Sequence, residues 1–194
     1  MDKNILKDYP QVVLHSDAVQ GFSKIKFDFN NVDAFTLSSH KIHGLKGSGA
    51  LIKRKSIRLV SQLTGGNQED GYRSGTSNFP VNVTLAKTIR LALEKQDENY
   101  KKVKVLHNYL FDELENNDQI LINSTKNGSP YIFNLSLKDK KGPVIAQALN
   151  NEDIYVSTVS ACSNKTEPKS KVIYEMFNDD NRAKSSLRIS FSKD

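Results

Sequence analysis

The sequence has little of several residue types that would mark a secreted, membrane-spanning or metal-binding protein. It has a single cysteine, Cys162, which excludes an internal disulfide framework and any metal site built from several cysteines. No apolar run approaches the roughly 20 residues that a membrane-spanning helix needs. The N-terminal segment carries charges where a signal peptide has an apolar core, so the cytoplasm is the expected compartment.

Acidic residues are absent from 34–68, although the whole chain has 22 of them against 28 Lys and Arg, a net charge of +6. The same segment contains these cations: Lys41, Lys46, Lys53, Arg54, Lys55 and Arg58. A local positive field favours phosphate, nucleic acid or an anionic cofactor, and a solvated basic face is the alternative interpretation. A direct nucleic-acid role is disfavoured because the chain has no aromatic-plus-basic stacking motif and no recognition-helix signature.

Short apolar runs in the first 60 residues predict strands of a sheet that is buried on both sides. The runs lie at 11–14, 33–37 and 49–52, and each ends in polar or basic residues. Ligands of open α/β sheets collect where the strands end. We therefore expect Asp17 and Lys41, which follow the first two runs, to be neighbours in space.

The remainder of the chain predicts a loop, a long helix and a second small α/β domain. Pro80 begins a helical stretch that extends to about Asn117 and carries an apolar stripe: Tyr100, Val103, Leu106, Leu110 and Leu114. Further predicted elements are strands at 120–122, 131–135 and 154–156 and a helix at 142–150. The predicted organisation is a large-domain part at 1–80, a connecting helix at 81–117 and a small domain at 118–194.

Lys41 is the first candidate for chemistry. It lies at a strand end, before a turn that contains three glycines, Gly44, Gly47 and Gly49, which let the backbone approach a bound group. A partly desolvated lysine can form an imine with a carbonyl compound. With Asp17 as an acid for a pyridine nitrogen, the pair fits a pyridoxal phosphate site, although each residue alone is more often an ordinary surface charge.

Four segments in order resemble the signatures of cysteine desulfurases, members of the class V aminotransferase-like group of fold-type-I pyridoxal phosphate enzymes. They are HSDAVQ at 15–20, SSHKIHGLKGSGAL at 38–51, RSGTSN at 73–78 and SACS at 160–163. The resemblance implies an α/β fold: part of the large domain, with a mainly parallel sheet, joined by a long helix to a small α/β domain. Full members are about twice as long, so the resemblance is to the C-terminal portion only.

The resemblance also implies roles for individual residues. Lys41 would bind pyridoxal 5'-phosphate covalently and act as a proton shuttle, while Asp17 would pair with the pyridinium nitrogen and Gln20 with the phenolic oxygen. Ser38 and His40 would bind the phosphate. Thr76 would contact the phosphate bound by the neighbouring subunit of a homodimer. Arg188 would clamp the substrate carboxylate.

Cys162 is the implied nucleophile of the reaction. Its surroundings, Ser160–Ala161 and Ser163–Asn164–Lys165, are polar and end in a cation, and nearby cations favour the thiolate. A lone cysteine is more commonly a small buried hydrophobe, but the polar context favours the nucleophile. The family reaction is the conversion of L-cysteine to L-alanine with a persulfide on Cys162.

The implied partners are L-cysteine and a sulfur-acceptor protein, either an iron–sulfur scaffold or a tRNA-thiolation enzyme, with no membrane and no direct nucleic acid. No His, Cys or carboxylate set has the spacing of a zinc or calcium site. Two alternatives remain open at this point. One is a catalytically inactive fragment acting as an interaction module or a gene remnant. The other is a different class V enzyme, such as a selenocysteine lyase or an aminotransferase.

Overall fold

A computed structural model describes residues 6–158 and 169–192. The chain divides into two compact units, Met1–Asp97 and Glu98–Asp194. Each unit has its own three-stranded sheet and its own apolar core. The α/β architecture is the predicted one.

The sheet of the first unit has the order β1-β2-β3, formed by His15–Asp17, Ala34–Ser38 and Gly49–Lys53. The pair β1 and β2 is parallel, whereas β2 and β3 are antiparallel. Strand β2 is the buried centre of this sheet, since Ala34, Phe35 and Leu37 are each at most 6% exposed. In the part of the chain that the structure describes, the sheet therefore has one parallel and one antiparallel pair, which is consistent with the predicted part of a fold-type-I large domain.

The first strand lies later than the sequence pattern predicts. The apolar run at 11–14 is not a strand, and Val12 and Val13 are 43% and 49% exposed. Strand β1 instead comprises His15–Asp17, the polar residues that were expected to follow a strand. Leu14 still joins the sheet edge, because its N–H donates to Asp33 Oδ2 at 3.0 Å and its carbonyl accepts from the N–H of Asp33.

The predicted connecting helix at 81–117 is two helices, α1 from Phe79 to Glu94 and α2 from Gln96 to Leu114. Asn78 caps α1 by accepting from Val81 N–H, and Pro80 lies in the first turn. The break falls at Lys95, where neither glycine nor proline signals it. Leu85 of α1 belongs to the core of the first unit, whereas Phe111 of α2 packs against the core of the second.

The second unit has an antiparallel sheet in the order β4-β5-β6, formed by Ile120–Ile122, Ile132–Leu137 and Ser186–Ser190. Three further helices in the described chain are α3 at Gly142–Asn151, α4 at Lys171–Phe177 and α5 at Asp180–Lys184. The strand predicted at 154–156 is not formed. Its neighbour Ser157 makes an isolated bridge to Arg188 instead.

The apolar stripe of α2 differs from the predicted one at a single step. Leu106 is 49% exposed, whereas His107 is fully buried with Val103. The His107 ring lies 5.5 Å from Phe133, 6.3 Å from Phe111 and 6.5 Å from Phe191, measured between ring centroids. Both positions are allowed by helical periodicity, so packing decided which side chain enters the core.

No helix in residues 6–158 and 169–192 is both long enough and apolar enough to cross a membrane.

Candidate cofactor-binding site

A short 3-10 turn at Ser39–Ile42 follows β2 and carries Lys41. Ser39 and Ile42 are 1% and 4% exposed, so the two ends of the turn are anchored in the protein. Between them, His40 is exposed and Lys41 is partly buried. The turn closes at His43, which has φ 68°, and at Gly44, whose N–H donates to the Ser39 carbonyl at 2.9 Å.

Gly44 lets this turn pack closely against α1. A Cβ atom at this position would overlap the Ser39 hydroxyl and lie 3.1 Å from both the Ser39 carbonyl oxygen and Thr88 Cγ2. An alanine here would force the Ser39 hydroxyl to move and would press on the Ser39 carbonyl and on Thr88. The close approach of these neighbours therefore favours glycine.

Ser38 and His40 face each other at the end of β2. The Ser38 hydroxyl oxygen and His40 Nδ1 lie 2.9 Å apart, and the tautomer of the ring decides which atom donates. Ser38 is partly buried and His40 is exposed. Together they offer hydroxyl and imidazole groups that can donate to an anion beside the Lys41 ammonium.

Asp17 lies at the carboxyl end of β1, and this turn follows the carboxyl end of β2. Its Cα pairs with Thr36 in the parallel ladder, two residues before Ser38. Since β1 and β2 are parallel, their carboxyl ends lie at the same end of the sheet. Asp17 Oδ1 accepts from the Val19 N–H at 3.0 Å, which orients the carboxylate against its own backbone.

Gln20 follows in a run of turns that is anchored by two buried residues, Ala18 and Phe22. Its Oε1 accepts from Lys24 Nζ at 3.0 Å. Burial lowers the pKa of Lys24, and the charge of Lys41 lowers it further. The two ammonium groups are therefore within electrostatic range of each other.

Two of the cations in the acid-free segment have structural partners. Arg54 Nε lies 3.3 Å from Asp33 Oδ1, and its guanidinium also donates to the carbonyl of Asn30 at 2.6 Å. Lys53 Nζ donates to the Ile57 carbonyl at 2.9 Å and lies 4.8 Å from the centre of the Tyr72 ring. The Asp33 carboxylate thus offsets the charge of Arg54, whereas the partners of Lys53 are uncharged.

Thr76 is exposed in the loop that precedes α1. The loop is held by its own polar contacts, in which Ser74 Oγ donates to the Thr64 carbonyl at 3.0 Å and Gly75 N–H donates to Gln68 Oε1 at 3.2 Å. These contacts shape the segment around Thr76.

Arg188 lies on β6 in the second unit, opposite Asn134 of β5. Its backbone exchanges hydrogen bonds with Ser157, with N–O distances of 3.0 Å and 2.6 Å. Its Nε is buried and has no hydrogen-bond partner among the residues that the structure describes. A buried guanidinium nitrogen without a partner is costly, and an anionic ligand would satisfy it.

Cys162 lies outside the described residues, and so does the rest of the SACS segment.

A sequence model described as aminotransferase class-V matches residues 3–194. The chain belongs to this family. It is 34% identical to a NifS/IcsS protein homologue of Lactobacillus delbrueckii subsp. bulgaricus over 97% of this chain and 50% of that protein. It is 37% identical to the cysteine desulfurase IscS of Anaeromyxobacter sp. strain K over 94% of this chain and 46% of that protein.

Solved structures agree with this assignment to the class-V aminotransferases. A NifS-like protein from Rickettsia africae superposes with a TM-score of 0.83 at 30% identity, covering 98% of this chain and 51% of that one. Another NifS-like protein gives a TM-score of 0.82 at 31% identity, covering 97% and 49%. The chain spans about half the length of the relatives it matches.

The residues at this class-V site are suited to a pyridoxal phosphate group. The Asp17 carboxylate is an acceptor for a protonated ring nitrogen, and Lys41, Ser38 and His40 are groups that can bind an aldehyde and a phosphate. In the second unit, the guanidinium of Arg188, whose Nε has no hydrogen-bond partner among the described residues, is a group that suits a carboxylate.

Sequence reasoning missed two residues of the site region, Lys24 and Ser39. Lys24 stands four residues after Gln20, the spacing at which side chains meet on a helical turn, so this pair could have been found. Ser39 is buried and its hydroxyl has no partner in the described chain. No sequence signal separates Ser39 from the adjacent Ser38.

Proposed function

We propose that this chain is the cofactor- and substrate-binding part of a cysteine desulfurase that uses pyridoxal 5'-phosphate. The observation that carries the proposal is the grouping of Asp17 with the Ser38–His40–Lys41 corner at the carboxyl ends of two parallel strands. The family assignment and the similarity to proteins named cysteine desulfurase support it.

Each residue at the corner has a distinct part in holding the cofactor. Lys41 would bond to the aldehyde carbon of the cofactor, with the aldehyde oxygen leaving as water, and would afterwards carry protons to and from the substrate. Asp17 keeps the ring nitrogen protonated, and the Val19 N–H holds this carboxylate in place. Ser38 and His40 would contact the phosphate; their mutual 2.9 Å hydrogen bond uses one donor hydrogen of the pair and fixes the ring of His40 relative to the hydroxyl. When bound, the cofactor supplies an electron-accepting ring that weakens bonds near the substrate α-carbon.

Arg188 is proposed to bind the carboxylate of L-cysteine. A guanidinium offers paired donors that match a carboxylate, and the Nε of Arg188 has no hydrogen-bond partner among the described residues. Selection of an amino acid as substrate would follow from this contact.

Cys162 is proposed to take the sulfur. Its thiolate attacks the sulfur of the bound cysteine, the sulfur–carbon bond breaks, and the carbon collects a proton to leave as alanine. The product on the protein is a Cys162 persulfide, so no external oxidant or reductant is needed. A sulfur-acceptor protein, an iron–sulfur scaffold or a tRNA-thiolation enzyme, would then remove this sulfur. Thr76 is proposed to contact the phosphate bound by a second copy in a homodimer.

The test is covalent trapping of the cofactor. The purified 194-residue chain is incubated with pyridoxal phosphate, reduced with borohydride and digested for mass spectrometry. We expect a phosphopyridoxyl group on Lys41, with Lys41→Ala unlabelled at this site. Lys46→Ala, a change of an exposed lysine in the same loop, is the matched control and keeps the label on Lys41.

Equal labelling of Lys41 and surface lysines would refute the cofactor site and would favour a catalytically inactive chain. If the site is present, alanine formation from L-cysteine is measured next, with Cys162→Ala as the comparison. Alanine formation that does not depend on Cys162 would refute the proposed nucleophile.

A further inference from the structure

Lys24 contacts Gln20, a residue with an implied cofactor contact, but Lys24 itself has no role in the proposed function. Its Nζ donates to Gln20 Oε1 at 3.0 Å, and both side chains rise from a turn fixed in the core by Ala18 and Phe22. An i, i+4 spacing holds the two groups on one side of this turn. The two buried residues, Ala18 and Phe22, are also four residues apart and lie on the other side of the turn.

The chemistry of lysine decides the orientation of the Gln20 amide. An ammonium group has three donors and no acceptor, so the amide atom that faces it must be Oε1. Oxygen and nitrogen positions of a glutamine are otherwise set only by the hydrogen-bond network. The Nε2 hydrogens consequently lie on the side of the amide away from Lys24 and can only donate.

We infer that Lys24 is a positioning residue that holds Gln20 as a hydrogen-bond donor for a phenolate oxygen of the cofactor. This inference rests on the proposed function, since it concerns the same bound group. A donor in this position stabilises an anionic ring oxygen, whereas a flipped amide would present an acceptor and repel it. The proximity of Lys24 to the charge of Lys41 is consistent with both groups serving one site.

The first test needs no cofactor. The side-chain Nε2 resonance of Gln20 is assigned by its loss in Gln20→Leu and is then followed in variants of the full chain. We expect Lys24→Met to shift this resonance and speed its exchange with solvent, while Lys24→Arg preserves it. An unchanged resonance in Lys24→Met overturns the inference, because the amide orientation would then not depend on Lys24.

The second test compares two ligands by equilibrium dialysis: pyridoxal phosphate and an analogue with hydrogen in place of the phenolic hydroxyl. We expect Lys24→Met to weaken binding of pyridoxal phosphate by about tenfold or more, as for the loss of one charge-assisted hydrogen bond, and to leave the analogue nearly unaffected. Lys24→Arg should restore the affinity. Gln20→Leu should show the same ligand-dependent loss, with no further loss in the double variant.

Lys26→Met is the matched control, because it removes a lysine charge only two residues from Lys24. The Lys26 side chain is 79% exposed and pairs with Asp97. Equal weakening of both ligands by Lys24→Met would overturn the inference in favour of a general charge effect. A wild-type chain that binds neither ligand refutes the proposed function and the cofactor part of the inference. The resonance measurement still decides the orientation of Gln20 in that case.

Discussion

The hydroxyl oxygen of Ser38 lies 2.9 Å from Nδ1 of His40 at the end of β2. The intervening residue, Ser39, is buried, so these two side chains emerge on the same side of a fixed backbone segment. This pair is the proposed phosphate contact beside Lys41. The arrangement leads to a prediction that separates phosphate binding from the other contacts.

Ser38→Ala should weaken the binding of pyridoxal phosphate by about tenfold or more, since it removes one hydrogen bond to a charged oxygen. Binding of pyridoxal, which lacks the phosphate, should be unaffected. Equilibrium dialysis with both compounds measures the difference. Ser48→Ala is the control, because Ser48 lies in the same loop and its hydroxyl donates to the Leu45 carbonyl at 3.4 Å. Equal losses for the two compounds would rule out a phosphate contact.

Gly44→Ala should destabilise the first unit by about 1–3 kcal/mol through overpacking. The added methyl group would overlap the Ser39 hydroxyl and press on Thr88 of α1. Urea unfolding measures the change. Gly21→Ala serves as the comparison and should be close to neutral, because the nearest atom to a Cβ there is 3.7 Å away. A neutral Gly44→Ala would contradict the close packing of turn and helix.

Asp33→Ala should lower the free energy of unfolding by about 2–3 kcal/mol, because a buried carboxylate binds both a cation and a backbone N–H. Asp33 accepts from Leu14 N–H at 3.0 Å and lies 3.3 Å from Arg54 Nε. Asp97→Ala breaks a surface pair with Lys26 and should cost under about 1 kcal/mol. Similar costs for the two variants would show that burial does not strengthen the Asp33 pair.

Acid should destabilise the second unit through His107. Burial lowers the pKa of His107 below its ordinary value of 6.5, and the charge of Lys104 lowers it further. The unfolded chain therefore binds more protons between the two pKa values. The stability that neutral His107 contributes is fully present above pH 6.5, and this contribution is lost as the pH falls toward the folded-state pKa of His107.

The measurement for this prediction is urea unfolding from pH 7.5 to pH 5, compared between wild type and His107→Gln. The variant cannot titrate at this position, so its stability should depend less on pH over this range. Carboxylates titrate in both proteins and cancel in the comparison. Parallel pH curves for the two proteins would mean that His107 accepts a proton without cost.

The sequence alone was sufficient for the α/β class and for the family resemblance, because these depend on local apolar runs and on the order of short segments such as SSHK and RSGT. It placed Lys41 after the second strand, whereas Asp17, expected to follow the first strand, is the last residue of β1. The apolar pattern located α3 and β4 to within a residue, because the apolar residues of each element pack against a core. The roles of all the proposed site residues stay predictions.

Only the tertiary structure decided which of several equivalent local choices was made. The helical spacing allowed Leu106 or His107 in the core, and the ring cluster around Phe133 selected His107. No residue type at Lys95 signals the break between α1 and α2. The break follows from tertiary packing, since each helix packs against a different core. The apolar run at 11–14 was a plausible strand, yet partner geometry put pairing at His15–Asp17, since strand pairing depends on distant residues that local sequence does not specify.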